Sequence, residues 1–185
     1  MFDIATTEIR LHGRAGQGIV TAAELLASAA GMDGKYSQAF PLFGSEKRGP
    51  PVSAFARISD SPIRGYEPVY EPDVALVADS SVLVSGKAGA GLKPGGLIIT
   101  NYPGPSGDLA FLNAKVCAVD GTKIALEILK RPILNTVMLG ALLKITNVVS
   151  LGSLNSAIRK EFPGDVGEKN VGLVKACYDA TGAKQ

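Results

Sequence analysis

Near its start the chain alternates polar and apolar residues through Thr7-Glu8-Ile9-Arg10-Leu11-His12. It runs on into Gly13-Arg14-Ala15-Gly16-Gln17-Gly18, then into an Ala- and Leu-rich stretch from Ile19 to Ala30 that holds no breaker. A period of two is the signature of a strand, and an unbroken run of good helix formers is that of a helix. Glycines between them let the backbone turn sharply. A strand, a Gly loop and a helix in this order open a layered α/β sheet. The small residues Ala22, Ala23, Ala27, Ala29 and Ala30 allow the helix to approach that sheet closely, and Gly31 is its expected C-cap.

Downstream the same alphabet recurs. Residues 35–51, with Pro41, Gly44, Gly49, Pro50 and Pro51, read as a long loop or a pair of turns. Val52 to Ser59 alternates as a strand. Val74 to Ala78, Leu97 to Thr100 and Lys115 to Asp120 are short apolar runs of the kind buried in a parallel sheet. Asp79 and Ser80 offer caps for a helix to about Ala88, and a short helix is expected from Thr122 to Leu129. After Pro132 only helical periods remain. One starts at Asn135 with an almost continuous apolar face, one carries Leu151, Leu154, Ile158 and Phe162, and one is marked by Val171, Val174 and Cys177. Pro163-Gly164 separates the last two. No internal repeat, linker or low-complexity segment stands out. Residues 1–185 are expected to form a single α/β domain, a Rossmann-like layered α/β/α unit with a mostly parallel sheet and a helical C-terminal third.

Composition excludes several classes. In 185 residues, 46% are hydrophobic, 19% are charged and mean hydropathy is +0.20, which rules out disorder. No apolar run is long enough to cross a membrane. Net charge is +2, and residues 122–185 hold nine basic against five acidic groups. Without a basic stripe and interleaved aromatics this is not a nucleic-acid binder. The basic excess reads as solvated helix surface or as a docking face. The low charge and the apolar helix from 135 suggest either a central core helix or a face for a partner or for self-association. The start, Met1-Phe2-Asp3-Ile4, lacks the pattern of an export signal, so a cytoplasmic location is expected.

Few residues here can carry chemistry. Cys117 and Cys177 are too few for a four-cysteine iron–sulfur cluster or a structural zinc site. His12 is the single histidine and reads as a strand residue. Asp79 and Asp120 follow strands, where α/β ligand sites open, but helix capping explains them equally well. The glycines are spaced G-x-x-G-x-G, neither the dinucleotide fingerprint nor a phosphate-binding Walker loop, and Asp33 falls in a turn rather than after a second strand. A tight turn and an anion-binding loop both remain open. In the segment Gly44-Ser45-Glu46-Lys47-Arg48-Gly49, the flanking Phe40 and Phe43 suggest a loop packed against something.

Taken together, Gly13–Gly18 with the helix after it, Gln38-Ala-Phe-Pro-Leu-Phe-Gly-Ser-Glu-Lys-Arg-Gly49, Val52–Asp60, Pro72–Asp79 and Arg131-Pro-Ile-Leu-Asn-Thr-Val-Met-Leu-Gly-Ala141 resemble the gamma subunits of 2-oxoacid:ferredoxin oxidoreductases, most of all the pyruvate (synthase) type. Ala15 stands where many members have glycine. The resemblance implies alpha, beta and delta partners and electron delivery to ferredoxin. It also implies oxidative decarboxylation of pyruvate or a related 2-oxoacid to an acyl-CoA on thiamine diphosphate with magnesium and [4Fe–4S] clusters. It places none of those cofactors, and no catalytic or metal residue, in this chain, which alone should be inactive. Arg14, Gly16, Gly18, Lys47 and Arg48 are then candidates for a positive lip on the CoA side of a shared cavity. An internal ion pair of Glu46 with Arg48 or Arg14 is the plainer reading of the same charges. A free-standing nucleotide-binding α/β enzyme or a scaffold module is the alternative.

Overall fold

In the computed structural model, which describes residues 6–42, 51–84 and 88–182, six strands form one sheet in the order β2-β3-β1-β4-β5-β6. These are β1 Thr6–Arg14, β2 Tyr36–Leu42, β3 Pro51–Ser59, β4 Val74–Val77, β5 Leu97–Asn101 and β6 Lys115–Val119. β1, β4, β5 and β6 are parallel neighbours, while β3 lies antiparallel to both β1 and β2. Five strands therefore point one way and only β3 runs against them. The sheet is mixed but mostly parallel.

The helices are α1 Ile19–Met32, α2 Ser81–Val84, α3 Gly121–Leu129, α4 Asn135–Thr146, α5 Leu151–Glu161 and α6 Asp165–Ala180, with a 3-10 helix at Ser106–Leu112. Alternation decides which face they cover. Ile9, Leu11, Ala54, Ala56, Ile58, Val74, Leu76 and Ile99 point to one side, where they share a core with α1, α4, α5 and α6. Ala75, Val77 and Ile98 point to the other, covered by a smaller cluster that includes Val82 and Leu83 of α2, Ala88 and Leu109, with Leu92 and Leu112 packed against it. The layers are unequal: the C-terminal helices sit on one face, and the second face of β1–β3 carries Arg10, His12, Phe55 and Arg57 instead.

The apolar surface of α4 is core. Thr136 through Leu143 are all buried, with α1, α3, α6 and β5 around them. That removes this helix as a reason for self-association. Gly140 makes the packing possible, since a Cβ there would stand 2.2 Å from the Val174 carbonyl oxygen and 3.0 Å from Cys177 Cβ.

Several sequence expectations are corrected. Residues 36–42 form a strand, not a loop. Pro41 is tolerated because β2 is an edge strand whose proline needs no outward N–H. Residues 43–50 lie outside the described residues. α1 runs past Gly31 to Met32, with Gly34 taking the positive φ of 77°. The helix expected to reach Ala88 is described only over Ser81–Val84. α6 begins at Asp165, directly after Gly164. Asp33 has no ribose-binding posture. It buttresses the Ser150 cap at the start of α5, accepting from the Ser150 backbone N–H at 2.6 Å, Ser150 Oγ at 2.8 Å and Ser153 Oγ at 2.5 Å. One short repeat also exists, against expectation: Tyr66-Glu67-Pro68-Val69 is followed at once by Tyr70-Glu71-Pro72-Asp73.

Candidate functional site

Chain direction makes one edge of this sheet special. After β1 the chain leaves toward β2 and β3, whereas β4, β5 and β6 build out on the other side. The carboxyl ends of β1 and β4 thus flank a topological switch point, where open α/β sheets bind ligands. The Gly loop, the Ala78–Ser81 turn, Asn101 and Asp120 all lie at this edge.

The Gly loop is fastened there from both sides. The Arg14 N–H donates to Gln17 Oε1 at 2.8 Å, and Gln17 Nε2 donates across the switch point to Asp79 Oδ2 at 3.1 Å. Arg14 Nε pairs with Asp79 Oδ2 at 3.3 Å, and Arg14 Nη2 donates to Ser81 Oγ at 2.8 Å. Burial would raise the Asp79 pKa, but hydrogen bonds from Ser81 and Gln17 and the charge of Arg14 carry it below the ordinary carboxylate value. Asp79 is therefore an anchor held in its ionised form.

Gly16 and Gly18 adopt φ of 87° and 71°, a region that favours glycine. A Cβ on Gly18 would also stand 2.6 Å from Asn135 Nδ2, at the first turn of α4. The first turn of α1 has no side-chain cap, so its N–H groups face the loop uncapped, as at anion-binding helix starts. Arg14, Gly16 and Gly18 are brought together at this edge. Leu42 and Pro51 end and begin their strands there too, with Pro51 paired to Arg14, while Lys47 and Arg48 lie outside the described residues. Arg14 takes Asp79 as its ion-pair partner, a pairing the sequence reading did not consider.

Farther along the edge, Asn101 donates to the Ala78 carbonyl at 3.1 Å and accepts from the Thr122 N–H at 3.1 Å, tying three strand ends together. Asp120 caps α3 by accepting from the Lys123 N–H at 2.9 Å. A cavity of about 580 Å³ opens beside these residues, lined by Tyr102, Pro105, Val119, Asp120 and Lys123 among others. Asn101, Gln17 and Ser81 were missed from sequence. The rule that singled out Asp79 and Asp120, a polar residue just after an apolar strand, finds Asn101 as well.

The remaining reactive groups are tied up. Arg10 Nε donates to His12 Nε2 at 3.0 Å, which puts the imidazole proton on Nδ1, 3.2 Å from Ser53 Oγ. His12 thus donates to Ser53 and cannot take its proton. Burial, with the neighbouring Arg10 charge, lowers the His12 pKa to about 4. Burial pushes the Cys117 thiol up and the Cys177 thiol up to about 11, so neither is a ready thiolate. Among the described residues no group of three or more His, Cys, Asp or Glu could hold a metal ion, and no helix is long and apolar enough to cross a membrane.

Fold and edge define an α/β domain that can offer an anion or a partner chain a loop, a helix start and a cation. Comparison with known proteins narrows the class. The sequence model of the pyruvate ferredoxin/flavodoxin oxidoreductase family matches residues 8–180, and the chain belongs to that family. It is 52% identical over 172 residues to the pyruvate synthase subunit PorC of Methanothermobacter thermautotrophicus, covering 93% of this chain and 94% of that one. It is 49% identical over 178 residues to the pyruvate/ketoisovalerate oxidoreductases common subunit gamma of Thermococcus litoralis, covering 94% and 96%. The crystal structure of the pyruvate oxidoreductase subunit PORC of Thermotoga maritima superposes with a TM-score of 0.84 at 40% identity, covering 95% of this chain and 97% of that one.

Proposed function

We propose that this chain is the gamma subunit of a multisubunit 2-oxoacid:ferredoxin oxidoreductase that converts pyruvate and CoA to acetyl-CoA, carbon dioxide and reduced ferredoxin, and that it works in the cytoplasm. The observation that carries the reading is near end-to-end identity of 52% with a pyruvate synthase subunit of matching length. The Thermococcus relative is named as a subunit common to pyruvate and ketoisovalerate oxidoreductases. A subunit shared by two such enzymes does not itself discriminate their oxoacids, which argues that the acid is recognised by other chains.

The cofactors of such a complex do not fit here. A [4Fe–4S] cluster needs four thiolates, and this sequence has two cysteines, both buried. The described residues offer no carboxylate cluster for the magnesium of thiamine diphosphate. In this reading alpha, beta and delta chains hold the thiamine diphosphate and the clusters and pass electrons to ferredoxin, while the gamma chain completes the assembly.

Its chemical part is to position CoA. The Arg14 side chain is 46% exposed although paired with Asp79, and it lies beside the uncapped start of α1. A diphosphate or 3′-phosphate there meets a guanidinium and backbone N–H donors. Lys47 and Arg48, outside the described residues, are further candidates from the sequence. Loss of one charge–phosphate hydrogen bond, about 1.5–3 kcal/mol, raises KM for CoA by about ten- to a hundred-fold. The test is steady-state kinetics of the assembled complex carrying Arg14→Ala, Lys47→Ala or Arg48→Ala. KM for CoA is expected to rise while KM for pyruvate holds. A variant complex that assembles with unchanged CoA kinetics removes that residue from the CoA site.

A further inference from the structure

Between β3 and β4 the chain crosses the thinly covered second face as an irregular strap that contains the tandem Tyr66-Glu67-Pro68-Val69-Tyr70-Glu71-Pro72-Asp73. Its backbone is held from beneath by two buried arginines. Arg57 Nη2 donates to the Glu67 carbonyl at 2.8 Å, and Arg10 Nη1 donates to the Val69 and Tyr70 carbonyls at 3.5 and 3.3 Å. The Lys93 N–H donates to the Pro72 carbonyl at 3.0 Å. Val69 and Pro72 are buried, and each proline fixes its own φ and keeps the preceding glutamate extended. The strap is therefore ordered before anything binds to it.

What it displays is unusual for a surface loop. Tyr66 is 81% and Tyr70 69% exposed, the two most exposed large apolar side chains among the described residues. They stand four residues apart, a span of at most about 14 Å. Glu67 and Glu71 are exposed beside them. Asp73 is taken by Lys93 Nζ at 3.0 Å, but Asp60, Glu67 and Glu71 have no ion pair among the described residues, and Arg64 is the only cation of residues 60–73. Rigid tyrosines give large contact area at small entropic cost and dominate interface energetics. Unpaired carboxylates next to tyrosine rings select a cationic counterface, because both the carboxylate and the ring face attract lysine and arginine. The same charge disfavours nucleic acid and anionic lipid.

We infer that this strap is a docking surface for a basic, Lys- or Arg-bearing face of another subunit of the oxidoreductase, with Tyr66 and Tyr70 as anchors and Glu67 and Glu71 as charge guides. The inference rests on the subunit role proposed above.

The experiment measures binding of the purified full chain to the complex of the remaining subunits, prepared without it, at several salt concentrations. Four forms are compared: wild type, Tyr66→Ala/Tyr70→Ala, Tyr66→Phe/Tyr70→Phe and Glu67→Gln/Glu71→Gln. The alanine pair is expected to weaken Kd at least ten-fold, and the phenylalanine pair to stay within about three-fold of wild type, because it keeps the ring area. The glutamine pair is expected to weaken binding at low salt and flatten its salt dependence. All four forms should share one melting temperature, since the altered side chains are exposed. Wild-type chain that binds while the alanine pair binds equally well overturns the docking surface and leaves the subunit role standing. Wild-type chain that binds nothing overturns both. Loss of self-association alone in the alanine pair, with binding to the other subunits unchanged, assigns the strap to a second copy of this chain and overturns the basic partner.

Discussion

Acid should loosen this protein through one residue. His12 sits neutral between the Arg10 guanidinium and Ser53, with its pKa lowered to about 4 from an ordinary 6.5. A depressed folded-state pKa contributes stability that is fully present above the unfolded value and lost as pH falls through the folded one. The window is therefore about pH 6.5 to 4. The full shift corresponds to about 3 kcal/mol, and between pH 7 and 5 the loss is about 2 kcal/mol. Asp33 and Asp79 do not blur this window. Desolvation opposes it, but hydrogen bonds from Ser153 and Ser150 hold the Asp33 pKa below its usual value, as those from Ser81 and Gln17 do for Asp79, so their contributions fade only at more acidic pH. Urea unfolding at pH 7, 6, 5 and 4.5 reads the slope, and His12→Gln should lower stability at pH 7 while removing it. Because the sequence has one histidine, its Cε1 proton resonance titrates without ambiguity. A folded-state midpoint near 6.5, or equal stability at pH 7 and 5, refutes the reasoning.

Gly140→Ala should cost about 3 kcal/mol, lowering Tm by about 6–12 °C in calorimetry, because its Cβ has no room against α6. Asp33→Ala removes the acceptor that holds the Ser150 cap of α5 in place and should cost about 1–2 kcal/mol by denaturant unfolding, with Asp33→Asn restoring part of it. The two buried thiols should react with a thiol reagent only in denaturant, and fast labelling of the native chain would contradict their burial. Reconstituted with iron and sulfide, the lone chain should show no visible cluster band and no pyruvate turnover.

Much of the architecture is legible in local pattern. The apolar runs at 74–78, 97–100 and 115–120 are strands because a parallel sheet covered on both faces demands continuous apolar residues. β2 was lost because Pro41 reads as a breaker unless the strand is known to lie at an edge, and edge position is a property of the whole sheet. The site was legible in part for a similar reason. Gly16 and Gly18 announce themselves through spacing, and Arg14 through its place between glycines. The partner of Arg14 is Asp79, sixty-five positions away, and no local pattern carries that distance. The enclosure of α4 was equally beyond sequence, since an all-round apolar helix serves a core and an interface alike.

The central position of β1 has a consequence for how the chain is made. Among the described strands β1 leaves the ribosome first, and in the finished sheet it is bordered by β3 on one side and β4 on the other. Residues 51–59 satisfy its first edge, but its second waits until Val74–Val77 emerges. At a synthesis rate of about 10 residues per second, the step from Ser59 to Val77 is a delay of about two seconds. Throughout it the nascent chain offers neighbouring copies a strand with one apolar face, Ile9 and Leu11, and an edge of unsatisfied N–H and C=O groups. Slowing translation ahead of codon 74, or deleting β4, should thus divert the product into aggregates before any other part of the protein is at fault.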